Sequence, residues 1–143
     1  MTSAGKQAAS ISSAVAQAEK TGQAPDPATA HSGEQKIVFE VPGLSKEAIQ
    51  PVGMRFTQDG KKAFVALGPA NRVAVIDTAT KKVEKYLLVG QRVWQLALTP
   101  DGKYLYTTNG VSNDVSVIEV TSLKVLKSIA VGSFPWGVAI ARQ

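Results

Sequence analysis

An all-β fold, built from four-stranded antiparallel sheets that repeat along the chain, is predicted by three features of this 143-residue sequence. The first is an internal repeat at an offset of 42 residues with no gap. Asp59-Gly60 returns as Asp101-Gly102, Asn71 as Asn113, Val75 as Val117 and Gly90 as Gly132, and Pro51 reappears after two periods as Pro135. The second is a succession of short β-rich runs divided by Gly, Asp and Asn. The third is that runs such as Val73-Ala74-Val75-Ile76 and Val115-Ser116-Val117-Ile118 are apolar or small at every position, so both faces of each sheet need cover.

The elements follow in order. Residues 1–35 are rich in Ala, Ser, Gln and Thr and poor in large apolar groups, so they are expected to be a flexible segment. Ile11, Val15 and Ala18 share one helical face and permit a short helix from about Ser3 to Lys20, which Pro25 and Pro27 prevent from continuing. Lys36 to Val41 reads as the outermost strand of a preceding sheet, and Gly43 to Gln50 as the link from it. Four strands are then expected over Val52 to Thr57, Lys62 to Leu67, Arg72 to Asp77 and Val83 to Val89. Four more follow over Trp94 to Thr99, Lys103 to Thr108, Val115 to Val120 and Lys124 to Val131. Each Asp-Gly pair falls between a first and a second strand, where glycine accepts the positive φ of a tight hairpin. Residues 36–143 thus form repeats over 51–92 and 93–134 with a final strand over 135–141, in which Trp136 to Ala141 restates the innermost strand.

A four-stranded sheet repeating every 40 to 45 residues and packed on both faces by its neighbours is the blade of a β-propeller. An immunoglobulin-like sandwich has no such repeat, and the coils of a parallel β-helix are shorter. The expected structure is therefore a propeller portion of about two blades with flanking single strands. Stacked repeats need about three neighbours to bury their faces, which points to a piece of a longer propeller.

Composition excludes several classes. The sequence has no cysteine, so no disulfide or thiolate metal site is available. The net charge of +5 comes with lysine doublets at turns, Lys61-Lys62 and Lys81-Lys82, which read as solvated turns and not as a nucleic-acid surface. No run is long enough to span a bilayer. The N-terminus, too rich in Ser and Gln for a secretory core, shows no signal peptide. His31 is the single histidine and lies in the N-terminal segment, so neither a histidine triad nor a multi-histidine metal centre can be assembled in one chain. No glycine-rich phosphate loop opens a helix. Neither a cofactor nor a metal is expected.

The run Thr99-Pro100-Asp101-Gly102-Lys103-Tyr104-Leu105-Tyr106-Thr107-Thr108-Asn109, followed by Asn113-Asp114-Val115-Ser116-Val117-Ile118, resembles the YVTN-type β-propeller repeat. Pro51-Val52-Gly53 with Asp59-Gly60-Lys61, Ala70-Asn71-Arg72-Val73-Ala74-Val75-Ile76-Asp77, Leu88-Val89-Gly90-Gln91-Arg92 and Thr108-Asn109-Gly110 is similar to the C-terminal blades of the PQQ-dependent catabolism-associated β-propeller proteins. The likeness spans roughly Lys36 to Ala141. It implies a seven-bladed, exported bacterial protein of periplasmic or extracellular location, encoded near quinoprotein alcohol-oxidising systems. It carries over no catalytic residue.

In propellers the links between blades and the loops between second and third strands gather on the face that usually binds ligands. The candidates there are Arg72, Gln91, Arg92, Trp94, Asn109, Asn113, Phe134 and Trp136. Trp94 and Trp136 are one period apart, where an aromatic ring either wedges blades apart or stacks on a planar ligand. Arg92 offers a bidentate fork for a carboxylate or phosphate, or else a surface salt bridge. Asn71, Asn113, Asp77 and Asp101 are expected to hydrogen-bond within their own turns. No catalytic residue is assigned. The functional expectation is a non-catalytic binding or scaffolding propeller, accessory to periplasmic PQQ-linked oxidation, whose partner is another protein or further blades of its own chain. The alternatives are part of a propeller enzyme, a lyase or quinoprotein dehydrogenase, and a cell-surface structural repeat protein.

Overall fold

The structure is a computed structural model that describes residues 36–142. The helix expected from Ser3 to Lys20, the flexible segment 1–35 and His31 lie outside the described residues. Eight strands form two sheets: β1 (Gly53–Phe56), β2 (Lys62–Ala66), β3 (Arg72–Asp77) and β4 (Lys82–Leu88) in one, β5 (Val93–Leu98), β6 (Tyr104–Asn109), β7 (Asp114–Glu119) and β8 (Lys124–Ala130) in the other. Each sheet has its strands in chain order and every pair is antiparallel. These are the eight strands expected from the repeat, with ends that differ by a residue or so.

The backbone repeats as faithfully as the side chains. Gly60 and Gly102 turn the first hairpins at φ of 69° and 71°, as the Asp-Gly pairs require. Three pairs of non-glycine residues, each one period apart, also occupy the left-handed region: Asn71 with Asn113, Lys81 with Leu123, and Arg92 with Phe134. Such residues are uncommon, so the same three positions in both sheets mark turns whose shape the fold imposes. The β3–β4 and β7–β8 ladders shift register at equivalent places, between Val75 and Ile76 and between Val117 and Ile118.

The core lies in two layers. Phe64, Ala66, Val73, Val75 and Leu87 of the first sheet meet Val93, Leu96, Leu105 and Ile118 of the second, all buried. On the far side of the first sheet, Ala63, Val65, Leu67, Ala74 and Ile76 are covered by Ile37, Phe39, Val41 and Ile49. Residues 36–41, expected as the outermost strand of a preceding sheet, belong to none of the eight strands among the described residues. They keep the alternation of a strand, with Ile37, Phe39 and Val41 packed inward on the first sheet and Val38 and Glu40 exposed. The Glu40 amide donates to the Tyr86 hydroxyl at 2.9 Å, and burial raises that hydroxyl's pKa. The link 43–50 contains one 3-10 turn, Lys46–Ala48. Residues 136–141, expected as an innermost strand, follow β8 without joining either sheet.

Candidate functional site

The links at one end of the strands bring Arg92, Trp94 and Trp136 together and join Asn113 to Phe134. Asn71 accepts the Arg92 amide at 2.8 Å through Oδ1 and so binds the β2–β3 loop to the β4–β5 link. One period later Asn113 accepts the Phe134 amide in the same way, also at 2.8 Å. The asparagines therefore tie one loop to the next link, and the expectation that their side chains hydrogen-bond within their own turns is corrected. A side-chain acceptor beside a left-handed amide holds an otherwise unfavourable backbone in place, which is why both links carry the same turn.

From that fixed turn the Arg92 guanidinium lies over the Trp94 ring, 4.9 Å from its centroid. Trp94 in turn stacks on Trp136, with centroids 4.4 Å apart and planes inclined by 27°. The bulge that places Trp94 is visible in the ladder: Val93 pairs with Asn109 and Leu96 with Thr107, so Trp94 and Gln95 oppose Thr108 alone. Thr108 fastens both indole-bearing segments, accepting the Gln95 amide at 3.1 Å and donating to the Trp136 carbonyl at 2.9 Å. Gly110 lies beneath the ring, where a Cβ would fall 2.5 Å from Trp94 Nε1. The result is an Arg–Trp–Trp ladder whose last ring is 64% exposed, next to Phe134 at 77%.

The other candidates are placed differently. The Arg72 guanidinium turns back to the Ala70 carbonyl at 2.7 Å. Gln91 is exposed, and its amide donates to Ser112 Oγ at 2.8 Å. Asn109 is fully buried: Oδ1 accepts from Thr107 at 2.9 Å, and Nδ2 donates to Asp114 at 3.0 Å and to Ser116 at 2.9 Å. Its amide is thus occupied within the fold. Asp77 and Asp101 do serve their turns, with Thr80 on the first and Thr99 and Lys103 on the second, and those hydrogen bonds lower both carboxyl pKa values.

Sequence reasoning missed the network around Asn109. Thr107, Asn109, Ser112 and Ser116 stand where the first repeat has Val65, Leu67, Ala70 and Ala74, and they form a polar seam against the first sheet, joined by the Gly90 amide at 3.3 Å from Ser116 Oγ. No buried side-chain nitrogen or oxygen among the described residues lacks a partner. The signal was present as four small polar residues at positions that are apolar one period earlier.

This architecture, two four-stranded antiparallel blades packed face to face with the inner strands β1 and β5 adjacent, is that of a β-propeller. Solved structures agree. The chain is similar to Kuenenia stuttgartiensis hydrazine synthase at 28% identity and a TM-score of 0.60, over 68% of this chain and 28% of that one. It is also similar to apo AztD from Citrobacter koseri at 18% identity and 0.53, over 62% and 25%, and to the RRP9 WD40 repeats at 17% and 0.53, over 57% and 26%. The chain thus spans little more than a quarter of the length of these structures, and the likeness to the last two is one of fold. No family model and no curated protein matches the sequence.

Proposed function

We propose that this propeller portion is a non-catalytic binding and scaffolding module that docks a protein partner or further blades on the uncovered face of β5–β8 and the tryptophan-bearing end beside it. The carrying observation is a comparison across one period. Phe64, Val73 and Leu87 of the first sheet are sealed under the second, whereas their counterparts Tyr106 and Val115 are half-buried and Ile129 is 40% exposed. Val131, Phe134 and Trp136 extend the same apolar surface. A surface that is core in one repeat and partly exposed in the next, where Thr108 and Val117 are still buried, suits a second protein face, with Trp136 and Phe134 as aromatic anchors.

The resemblance to PQQ-associated propellers supports a periplasmic place beside quinoprotein oxidation, and the turn-bound carboxylates support a non-catalytic role. No helix among the described residues is long and apolar enough to cross a membrane. The test is capture of a purified periplasmic quinoprotein alcohol dehydrogenase by the chain and by its Ile129→Asp variant. Retention by the first and loss by the second is expected. Reduction of a redox dye by the chain loaded with PQQ would overturn the non-catalytic reading.

A further inference from the structure

The Asp-Gly hairpin end, at the opposite end of β5 from Trp94, holds a groove of about 430 Å3 between β1, β5 and residues 138–142. Two sets of repeat-equivalent positions are part of its lining. Arg55, Ala97 and Ala139 form one set and Gln58, Pro100 and Arg142 the other, and all six line the groove. Arg55 is exposed at the groove wall, and the equivalent positions in the next two repeats carry only the small side chains of Ala97 and Ala139. The Arg55 guanidinium is steadied by a 2.7 Å hydrogen bond from Nη1 to the Met54 carbonyl, which leaves its other N–H groups for a ligand. Gln58 Nε2 spans one period to the Pro100 carbonyl at 2.5 Å and holds the two hairpins together.

The charges in this groove have one sign. Arg55 and Arg142 line it, and no aspartate or glutamate does. The nearest carboxylates along the chain, Asp59 and Asp101, are one residue beyond the lining and are bound by Thr57 with Lys61 and by Thr99 with Lys103. Leu98 and Ile140 supply an apolar wall.

We propose that this groove binds a small organic molecule carrying two or more oxyanion groups, with Arg55 and Arg142 as its two forks. An arginine fork suits carboxylate and phosphate oxygens alike, and two such forks favour a polyanion over a monoanion. The site goes beyond the docking reading, because it lies at the other end of the blades and needs no partner protein.

The experiment is calorimetric titration of the full chain with citrate, inorganic pyrophosphate and acetate at low salt, where screening is weakest. Citrate or pyrophosphate should bind at least about tenfold more tightly than acetate, and Arg55→Gln or Arg142→Gln should each weaken binding about tenfold. The order of citrate and pyrophosphate then assigns the natural ligand to organic acids or to phosphate esters. Ala139→Glu, which leaves both arginines and an exposed backbone site intact, should abolish binding. Equal binding of acetate, an undiminished affinity in Ala139→Glu, or an equal loss on neutralising the distant Lys124 and Lys127 would overturn the proposal.

Discussion

Replacing Gly110 by alanine tests the ladder at its base. The new Cβ would lie 2.5 Å from Trp94 Nε1 and 2.8 Å from its Cδ1, so the indole must withdraw by about 1 Å to reach an ordinary contact. It has little room to do so, with the Arg92 guanidinium and the Trp136 ring both packed on it. Overpacking of this kind costs about 1–3 kcal/mol. The backbone itself is no obstacle, because Gly110 is not among the residues of positive φ, and alanine there gains about 0.4–1 kcal/mol by restricting the unfolded chain. The net expectation is a loss of about 1–2 kcal/mol, or several degrees in Tm. Urea and thermal unfolding followed by circular dichroism would measure it, and the exciton signal of the paired indoles reports whether the stack has opened. Trp94→Ala in the same background should remove most of the penalty, as a double-mutant cycle requires of two groups in contact. A Gly110→Ala protein of unchanged stability with its exciton signal intact would refute the packing argument.

Asn109→Leu restores the residue of the first repeat yet strands Thr107, Asp114 and Ser116, so urea unfolding should show a loss of about 2–4 kcal/mol; adding Thr107→Val and Ser116→Ala should return part of it, since an apolar seam is self-consistent. Asp59 and Asp101 have pKa values held down first by Thr57 and Thr99 and then by the Lys61 and Lys103 amides, so their ionised forms stabilise the fold at neutral pH. That contribution is complete above the unfolded carboxylate range and is lost as pH falls from about 4 through the lower folded values, so an Asp59→Asn, Asp101→Asn protein should show a shallower acid limb in Tm against pH. Trp136→Ala should erase the exciton signal while changing stability by about 1 kcal/mol or less, because the ring is mostly exposed and contributes chiefly its stack.

The parts of this structure that were legible in the sequence are those written into the period. Asp59-Gly60 and Asp101-Gly102 mark the hairpins because their φ values leave few other residues acceptable, and the runs around Val75 and Val117 mark strands because both their faces are covered or built to be. The equivalence of Trp94 and Trp136 was visible as spacing. Their mutual contact was not, since it depends on the bulge at Trp94-Gln95 and on Thr108 reaching the Trp136 carbonyl. Asn109 was legible as a loop-end residue but not as a buried one, because whether the end of a strand is covered depends on the neighbouring sheet. The segment 36–41 has the alternation of a strand, and alternation reports which side is buried without saying whether a ladder lies alongside.

The polar seam changes how one blade can sit on the next. Apolar faces tolerate sliding, since methyl groups find new neighbours at nearly the same energy. Hydroxyl and amide groups do not: Ser116 and Ser112 receive the Gly90 and Gln91 amides at single positions, and a small rotation of the second sheet would break both bonds at once. The seam therefore works as a detent that fixes the angular pitch between sheets, and it is that pitch, compounded from blade to blade, that decides how many sheets can stand around one axis.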